Sequence, residues 1–257
     1  MLKVAQSKSL MTKLTNKRPS PLGKLRKPLG ELLARAVNLL YPARCLGCDA
    51  SGNFICAKCV AELLPPDEGA CPTCQTAVKP GGICVMCEYG EFVYDSINAA
   101  FQMNGVAREL VHALKYHDLR ALAPRMGDIM AEYVGSCDLE VDGLTPLPIH
   151  PARKRRRGYN QSDLLGKVIA DKLEIPFKPE WLKRVKNTPP QVTLKGFDER
   201  IYSMQNAFQC DVELDGARVL LIDDVVTSGS TINVAAKALK DAGASEVHVA
   251  AFTRGGW

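Results

Sequence analysis

The run VLLIDDVVTSGST, residues 219–231, sets two adjacent carboxylates, Asp223 and Asp224, at the end of an apolar segment. Two valines and then five small residues follow: Thr227, Ser228, Gly229, Ser230 and Thr231. Such a turn, leading into a helix, suits a phosphate. The first N–H groups of a helix lack intrahelical partners, and the helix dipole adds about half a positive charge there. Gly229 lets the backbone close tightly, and the hydroxyls add donors. Neighbouring carboxylates repel each other, so they call for a donor-rich partner such as the 2′- and 3′-hydroxyls of a ribose. A 5′-phosphate in the turn with the ribose over Asp223 and Asp224 is one self-consistent pose. A helix cap beside acidic loop residues would explain part of this run, but not the acids, valines and small residues together. The lysine and spaced glycines of a P-loop or dinucleotide fingerprint are missing.

A second anion-binding candidate is HPARKRRRGYNQ, residues 150–161, with Arg153, Lys154, Arg155, Arg156 and Arg157 beside Gly158. Placed as a loop between a strand and a helix, it suits a pyrophosphate or similar anion. A solvated basic loop or a nucleic-acid patch is the alternative.

Eight of the ten cysteines form four Cys-x-x-Cys pairs: Cys45/Cys48, Cys56/Cys59, Cys71/Cys74 and Cys84/Cys87. Each pair supplies one edge of a metal tetrahedron, so eight thiolates make two closed Cys₄ sites. Such sites are structural zinc sites, since no coordination position stays open for water. Metal also supplies folding energy to a block poor in apolar periodicity. Sequential pairing, the first four and then the last four, is the simpler arrangement; interleaved pairing is also open. Redox chemistry suits one Cys-x-x-Cys, not four in tandem. Cys137 and Cys210 fall outside the pattern, and the four histidines do not share its spacing.

The elements that must position these groups follow from the patterning. ELLARAVNLLYP, from Glu31, predicts a short amphipathic helix stopped before Pro42. FVYDSINAAFQM alternates like a strand, and residues 105–134 read as two helices broken near His117 and Pro124. LTPLPI, from Leu144, is strand-like. A helix follows from Ser162, as its cap, to Leu173. Residues 176–208, with Pro189 and Pro190, read as a long loop with short elements. ARVLLID, STINVAAKALKDAG and EVHVAAF form a strand, a helix closed by Gly243 and a second strand, a parallel βαβ unit.

Hydrophobic residues at 46% and charged residues at 24% are ordinary for a soluble globular chain. The net charge of +5 is unevenly spread: the first 44 residues hold ten Lys or Arg against one acid, Glu31. The remainder is mildly acidic. The basic start lacks the apolar stretch of a secretory signal and reads as a solvated extension. No run of eighteen apolar residues suggests a membrane span. Paired thiols without export signals point to the cytoplasm.

LLIDDVVTSGST resembles the 5-phosphoribosyl-1-diphosphate (PRPP) binding motif of type I phosphoribosyltransferases. The wider set resembles the ComF family of competence-associated proteins: the leading Cys pairs, LKYH at 114–117, PLPIHPARKRRRGYNQSDLL, LKRVKNTPPQVTL and the phosphate turn. The likeness runs from about Glu31 to Gly255. Arg157, Gly158, Asn160 and Gln161 lie on the family's RG-[FY]-NQ run, and Gln191 on its TPPQ run. One departure stands out. Where the family reads R-x-x-N-x-x-G-A-F, this chain has RIYSMQNAF, so Ser203 replaces the Asn and Asn206 the Gly, while Arg200 and Ala207–Phe208 remain.

The resemblance implies an α/β type I phosphoribosyltransferase fold, a parallel sheet flanked by helices, behind a small double zinc ribbon. The expected divisions are a basic tail at 1–30, a helix and zinc ribbons at 31–90, and a phosphoribosyltransferase-like domain at 91–257. It implies that PRPP binds with Mg²⁺, with Asp223 and Asp224 on the ribose, residues 227–231 on the 5′-phosphate, and Arg155, Arg156, Arg157, Gly158, Asn160 and Gln161 toward the pyrophosphate. DNA uptake is the implied role, with single-stranded DNA and competence machinery proteins as partners. An active transferase with an unknown acceptor, or a PRPP sensor without turnover, are the other readings.

Overall fold

The computed structural model describes residues 42–67, 69–71, 73–76, 78, 84, 87–88, 92–186 and 206–255. The basic tail, the helix expected from Glu31, and Pro189, Pro190, Gln191, Arg200 and Ser203 lie outside the described residues. Residues Arg44–Trp257 form one compact unit that takes in both cysteine clusters.

Four parallel strands make the central sheet: β1 (Ser96–Gln102), β2 (Gly143–Pro146), β5 (Arg218–Val226) and β6 (Glu246–Arg254), in the order β1-β6-β5-β2. A short antiparallel pair, β3 (Lys183–Arg184) and β4 (Phe208–Gln209), stands apart. The helices are α1 (Ala57–Ala61), α2 (Gly105–Tyr116), α3 (Ala123–Gly135), α4 (Pro151–Arg157), α5 (Gln161–Leu173) and α6 (Ser230–Asp241). Val219, Leu220, Leu221 and Ile222 are all fully buried, which is why β5 reads as a continuous apolar run: helices cover both faces of a parallel sheet. One face packs on α2, α3 and α5 around Leu220, Ile222, Ala250 and Phe252. The other packs on α6 around Val219, Leu221, Val247 and Val249. The connections after β2 and β5 thus leave on opposite faces. That divergence opens a crevice at the carboxyl ends of these neighbouring strands, where open parallel sheets hold ligands.

The two helices break between His117 and Pro124 as the patterning predicts, and Pro124 itself sits in the first turn of α3, where its missing N–H costs nothing. Other expectations shift. HPARKRRRGYNQ is not a loop. Pro151–Arg157 is a two-turn helix, started by Pro151 and capped by His150 Nδ1, which accepts from Ala152 N at 3.2 Å. It ends at Gly158, whose φ of 85° is left-handed. Ser162 does not cap α5; Asn160 takes the cap position and Ser162 lies inside the first turn.

The two cysteine clusters form as sequential foursomes, Cys45/Cys48/Cys56/Cys59 and Cys71/Cys74/Cys84/Cys87, with the sulfurs of each set within 4.8 Å of one another. Sulfur separations of 3.6 Å (Cys48–Cys56), 3.6 Å (Cys71–Cys87) and 3.5 Å (Cys74–Cys84) suit a tetrahedral zinc with Zn–S of about 2.3 Å. The doubled pattern is a structural repeat. Asp49 N and Gln75 N each donate to the carbonyl of the first cysteine four residues back, both at 2.8 Å, and both residues have positive φ. Burial opposes ionisation of Cys45, yet the N–H groups of Cys56, Gly47 and Cys48 bring its thiol down to about 6. Cys71 behaves alike at about 7. Burial and neighbouring thiols drive Cys59 and Cys87 far upward. Four thiolates in each set therefore require a cation among them.

The first cluster packs on α2: a side chain at Gly47 would meet Cys59 Sγ at 2.7 Å and Val106 at 2.8 Å. The second covers the exposed edge of β1, where Ile97 N donates to Thr73 O at 2.7 Å and Ala99 N to Gln75 Oε1 at 2.6 Å. Among the described residues no helix is long and apolar enough to cross a membrane. The purified protein is expected to hold two zinc ions per chain by plasma mass spectrometry. Cys59→Ser should reduce the count to one, since each foursome closes its own site.

Candidate functional site

A cleft of about 260 Å³ lies at the carboxyl ends of β2 and β5. Its walls come from the residues after β2 (Leu147, Ile149, Arg153, Arg157, Asn160–Ser162), from the end of β5 (Asp223–Thr227) and from Gly229, Thr231 and Ile232 of the turn into α6. Lys115 and Tyr116 at the end of α2, and Arg184 of β3, complete it.

Both aspartates belong to β5 itself, which runs on to Val226. Asp223 Oδ1 accepts from Ser162 Oγ at 3.1 Å and from Asp224 N at 2.9 Å. Burial, with the charge of Asp224 added, pushes Asp223 up from 3.8 to about 7. Asp224 is buried and pairs through Oδ1 with Lys115 Nζ at 3.0 Å. Burial works against the Lys115 charge, but Asp224 and Asp223 more than offset it and raise its pKa. Tyr159 holds this lysine in place: its hydroxyl donates to the Leu114 carbonyl, and Arg120 lies 4.6 Å over its ring. Asn160 is buried too, donating from Nδ2 to Leu147 O and Asp163 Oδ1, each at 3.0 Å. Asp224 Oδ2 and Asn160 Oδ1 are buried acceptors with no hydrogen-bond partner among the described residues. Such atoms are costly unless a ligand or water donates to them.

The turn also divides its labour. Gly229 has a φ of 75° and occupies the N-cap position of α6. Its conformation is one that only glycine adopts readily. Thr227 and Thr231 line the cleft, whereas the buried Ser228 and Ser230 hydroxyls bond each other at 2.8 Å and brace the turn from behind. The basic segment divides in the same way because it is helical: residues four apart share a face. Arg153 and Arg157 line the cleft, while Arg155 and Arg156 are exposed and outside its lining. Burial, with Arg157 and Arg156 close by, lowers Arg153, and burial with Arg153 nearby lowers Arg184 to about 10. Cations pressed together in this way favour an anion between them.

Of the residues singled out by sequence, Asp223, Asp224, Thr227, Gly229, Thr231, Arg157, Asn160 and Gln161 converge on the cleft. Gly158 stands behind it, its Cα facing Arg120, where an added Cβ would lie 2.7 Å from Nη2. Sequence reasoning passed over Lys115, Tyr116, Arg184 and Ser162 as site residues. Lys115 lies within LKYH and Arg184 within LKRVKNTPPQ, so both stood inside quoted motifs, but no local spacing ties them to Asp224.

The parallel sheet, the glycine-capped turn at its carboxyl edge and the two Cys₄ modules define a class: a phosphoribosyltransferase-fold domain joined to a double zinc ribbon. The phosphoribosyl transferase domain model matches residues 164–256 and the double zinc ribbon domain model matches residues 36–88. Competence protein F of Haemophilus influenzae is 30% identical over 224 residues, covering 79% of this chain and 97% of that protein. DNA utilization protein YhgH of Salmonella typhimurium is 28% identical over 201 residues, 76% of this chain and 86% of its own. Competence protein ComFC of Bacillus subtilis is 24% identical over 231 residues, 81% and 93% of the two chains. Among solved structures, a glutamine PRPP amidotransferase from B. subtilis overlaps 52% of this chain and 26% of its own, at 20% identity and a TM-score of 0.37. The chain belongs to the ComF family of competence-associated proteins.

Because folded Asp223 holds its proton up to about pH 7 and an unfolded carboxyl releases it near 3.8, the folded state loses stability as pH climbs through that interval. An asparagine at this position would still accept through its amide oxygen without the charge. Asp223→Asn is therefore expected to be more stable than the parent in urea melts at constant zinc, with the advantage growing from pH 5.5 to 7 and levelling above.

Proposed function

We propose that the cleft binds PRPP together with Mg²⁺. The two buried acceptors without partners among the described residues, Asp224 Oδ2 and Asn160 Oδ1, carry this reading: they belong to side chains that line a cleft whose other end is a helix N-terminus, which matches a sugar diol joined to a phosphate. In this pose Asp223 and Asp224 take the ribose hydroxyls, and the residues 227–231 take the 5′-phosphate through N–H groups and the Thr227 and Thr231 hydroxyls. The pyrophosphate meets Arg153, Arg157 and Arg184, with Asn160 and Gln161 beneath it. Among the described lining residues, four cations, Lys115 included, stand against two carboxylates, a balance that suits a polyphosphate.

Mg²⁺ would arrive on the sugar diphosphate and supply neutralisation of the pyrophosphate oxygens. Asp223 and Asp224 are the carboxylates placed to face it. Lys115 is the group whose role changes on binding. Once diol hydroxyls donate to Asp224, its ammonium can turn from the carboxylate toward the diphosphate. If the chain transfers phosphoribose, these same cations stabilise the charge that develops on departing pyrophosphate.

Calorimetric titration of zinc-loaded protein with PRPP and Mg²⁺ should show one site per chain. Asp224→Asn removes charge-assisted hydrogen bonds worth about 1.5–3 kcal/mol, so affinity should fall ~10- to 100-fold. Absence of binding at millimolar PRPP would sink the reading. Pyrophosphate release in the same sample separates a transferase from a sensor.

Family membership supports a role in DNA uptake, and α4 offers a surface for it. Arg155 and Arg156 stand exposed on its outer side, clear of the cleft, where they suit the phosphates of single-stranded DNA. Binding of a labelled single strand should weaken steeply with salt, and Arg155→Gln with Arg156→Gln should flatten that slope by about 1–2 counterions. PRPP affinity should be almost unchanged in the double variant. Salt-independent binding of the strand would exclude this surface.

A further inference from the structure

Arg254 is the last residue of β6 and is buried. Parallel register sets it beside Val226, the last residue of β5, so its guanidinium lies under the start of the phosphate turn. Three of its contacts lie among the described residues. Nη1 donates to the Thr227 carbonyl, Nε donates to the Cys74 carbonyl at 3.1 Å, and Nη2 to Thr76 Oγ1 at 3.2 Å. Thr227 opens the turn; Cys74 is a member of the second foursome, and Thr76 Oγ1 lies 3.2 Å from Cys74 Sγ. One side chain thus spans from a sulfur cluster to the candidate ligand turn, between segments far apart in sequence: Arg254 and Cys74 are separated by 180 residues.

Electrostatics explain why an arginine tolerates this burial. Desolvation works against the guanidinium charge, and Cys74 and Cys84 support it. Four thiolates around one divalent ion leave a metal-loaded Cys₄ centre negatively charged, so a nearby buried cation is stabilised. Planarity then transmits the contact. No peptide in the described residues is cis, so fixing the Thr227 carbonyl toward Arg254 points the Ser228 N–H the opposite way, away from the ribbon.

Two further contacts brace the same turn from the same side. Tyr94, buried in the cluster that contains Cys71 and Cys74, has its hydroxyl 3.4 Å from where a Cβ on Gly229 would stand. Val93 N donates to Asn233 Oδ1 at 2.7 Å, pinning the first turn of α6.

We propose that Arg254 is a positioning residue that sets the phosphate turn against the second zinc ribbon, so that this ribbon is part of the binding site's framework. The guanidinium reads the ribbon through Cys74 and Thr76 and holds the turn through Thr227. Arginine is suited to this because its planar fork offers several donors at fixed angles, whereas a lysine offers one point of attachment. The effect on ligand affinity rests on the PRPP reading above; the effect on the turn itself does not.

The test uses full-length, zinc-loaded protein and two readouts: amide hydrogen exchange over residues 226–231, and titration with PRPP and Mg²⁺. Arg254→Met keeps most of the buried volume and removes the donors. Thr76→Val removes an acceptor on the ribbon side alone. Both variants should retain two zinc ions, exchange the turn amides ~10-fold or more faster, and bind PRPP ~10- to 100-fold more weakly. Arg254→Lys should fall between parent and Arg254→Met. The double variant should be no worse than Arg254→Met, because both changes break one link. Unchanged exchange in Arg254→Met, or additive losses in the double variant, overturns the proposal. If Arg254→Met does not fold, Thr76→Val with the parental exchange rate overturns it alone. If the parent fails to bind PRPP, the ligand reading fails while the exchange data still decide the tether.

Discussion

Setting two adjacent carboxylates, Asp223 half-buried and Asp224 buried, at the end of a parallel strand is the constraint on which the cleft depends. Water would ordinarily dissipate their repulsion, but both sit where solvent is scarce. The surroundings meet the cost in three ways. Lys115 pairs with Asp224 at 3.0 Å, Ser162 and a backbone N–H donate to Asp223, and the Asp223 pKa rises to about 7. The side chains that answer the pair come from different elements, and so β5, α2 and α5 must meet at one point. An isolated βαβ unit could not supply them. The pair is also an incomplete solution, because Asp224 Oδ2 is left without a donor among the described residues.

The cysteine modules look at first like a separate domain, yet they are integrated with the sheet. The first lies on α2, which carries Lys115 at its far end. The second covers the open edge of β1 with main-chain and Gln75 contacts, so the ribbon takes the place of a further strand. A small apolar-poor segment can do this only if something other than a core fixes its shape, and metal coordination does so without apolar area. Cys45, Cys59, Cys71 and Cys74 are buried within the two main cores, which makes ribbon and sheet a single folding unit.

The basic segment shows how helical geometry sorts charges that the sequence leaves equivalent. Five successive residues, Arg153 to Arg157, are all basic, and a loop would have allowed any of them to reach the cleft. Pro151, the His150 cap and Gly158 make the segment helical instead, and a 3.6-residue period divides it. Arg153 and Arg157 turn to the cleft; Arg155 and Arg156 turn to solvent. One short helix thereby presents arginines both to the cleft and to solvent.

What the sequence by itself determined was the local chemistry. Asp223, Asp224 and Gly229 followed from a strand-to-helix turn, the eight ligating cysteines from their spacing, and β5, α6 and β6 from apolar patterning, since each depends on residues near one another in the chain. The sequential foursomes agree with the pairing expected from sequence, whereas the choice of Arg153 and Arg157 over their neighbours and the meeting of Lys115 with Asp224 were decided by the tertiary structure alone. So was the reach of Arg254 to Cys74. Periodicity reports which face of an element is apolar, but not which distant element that face will meet. A buried ion pair or a guanidinium between two loops leaves no local pattern, because its partners become neighbours only once the sheet has formed.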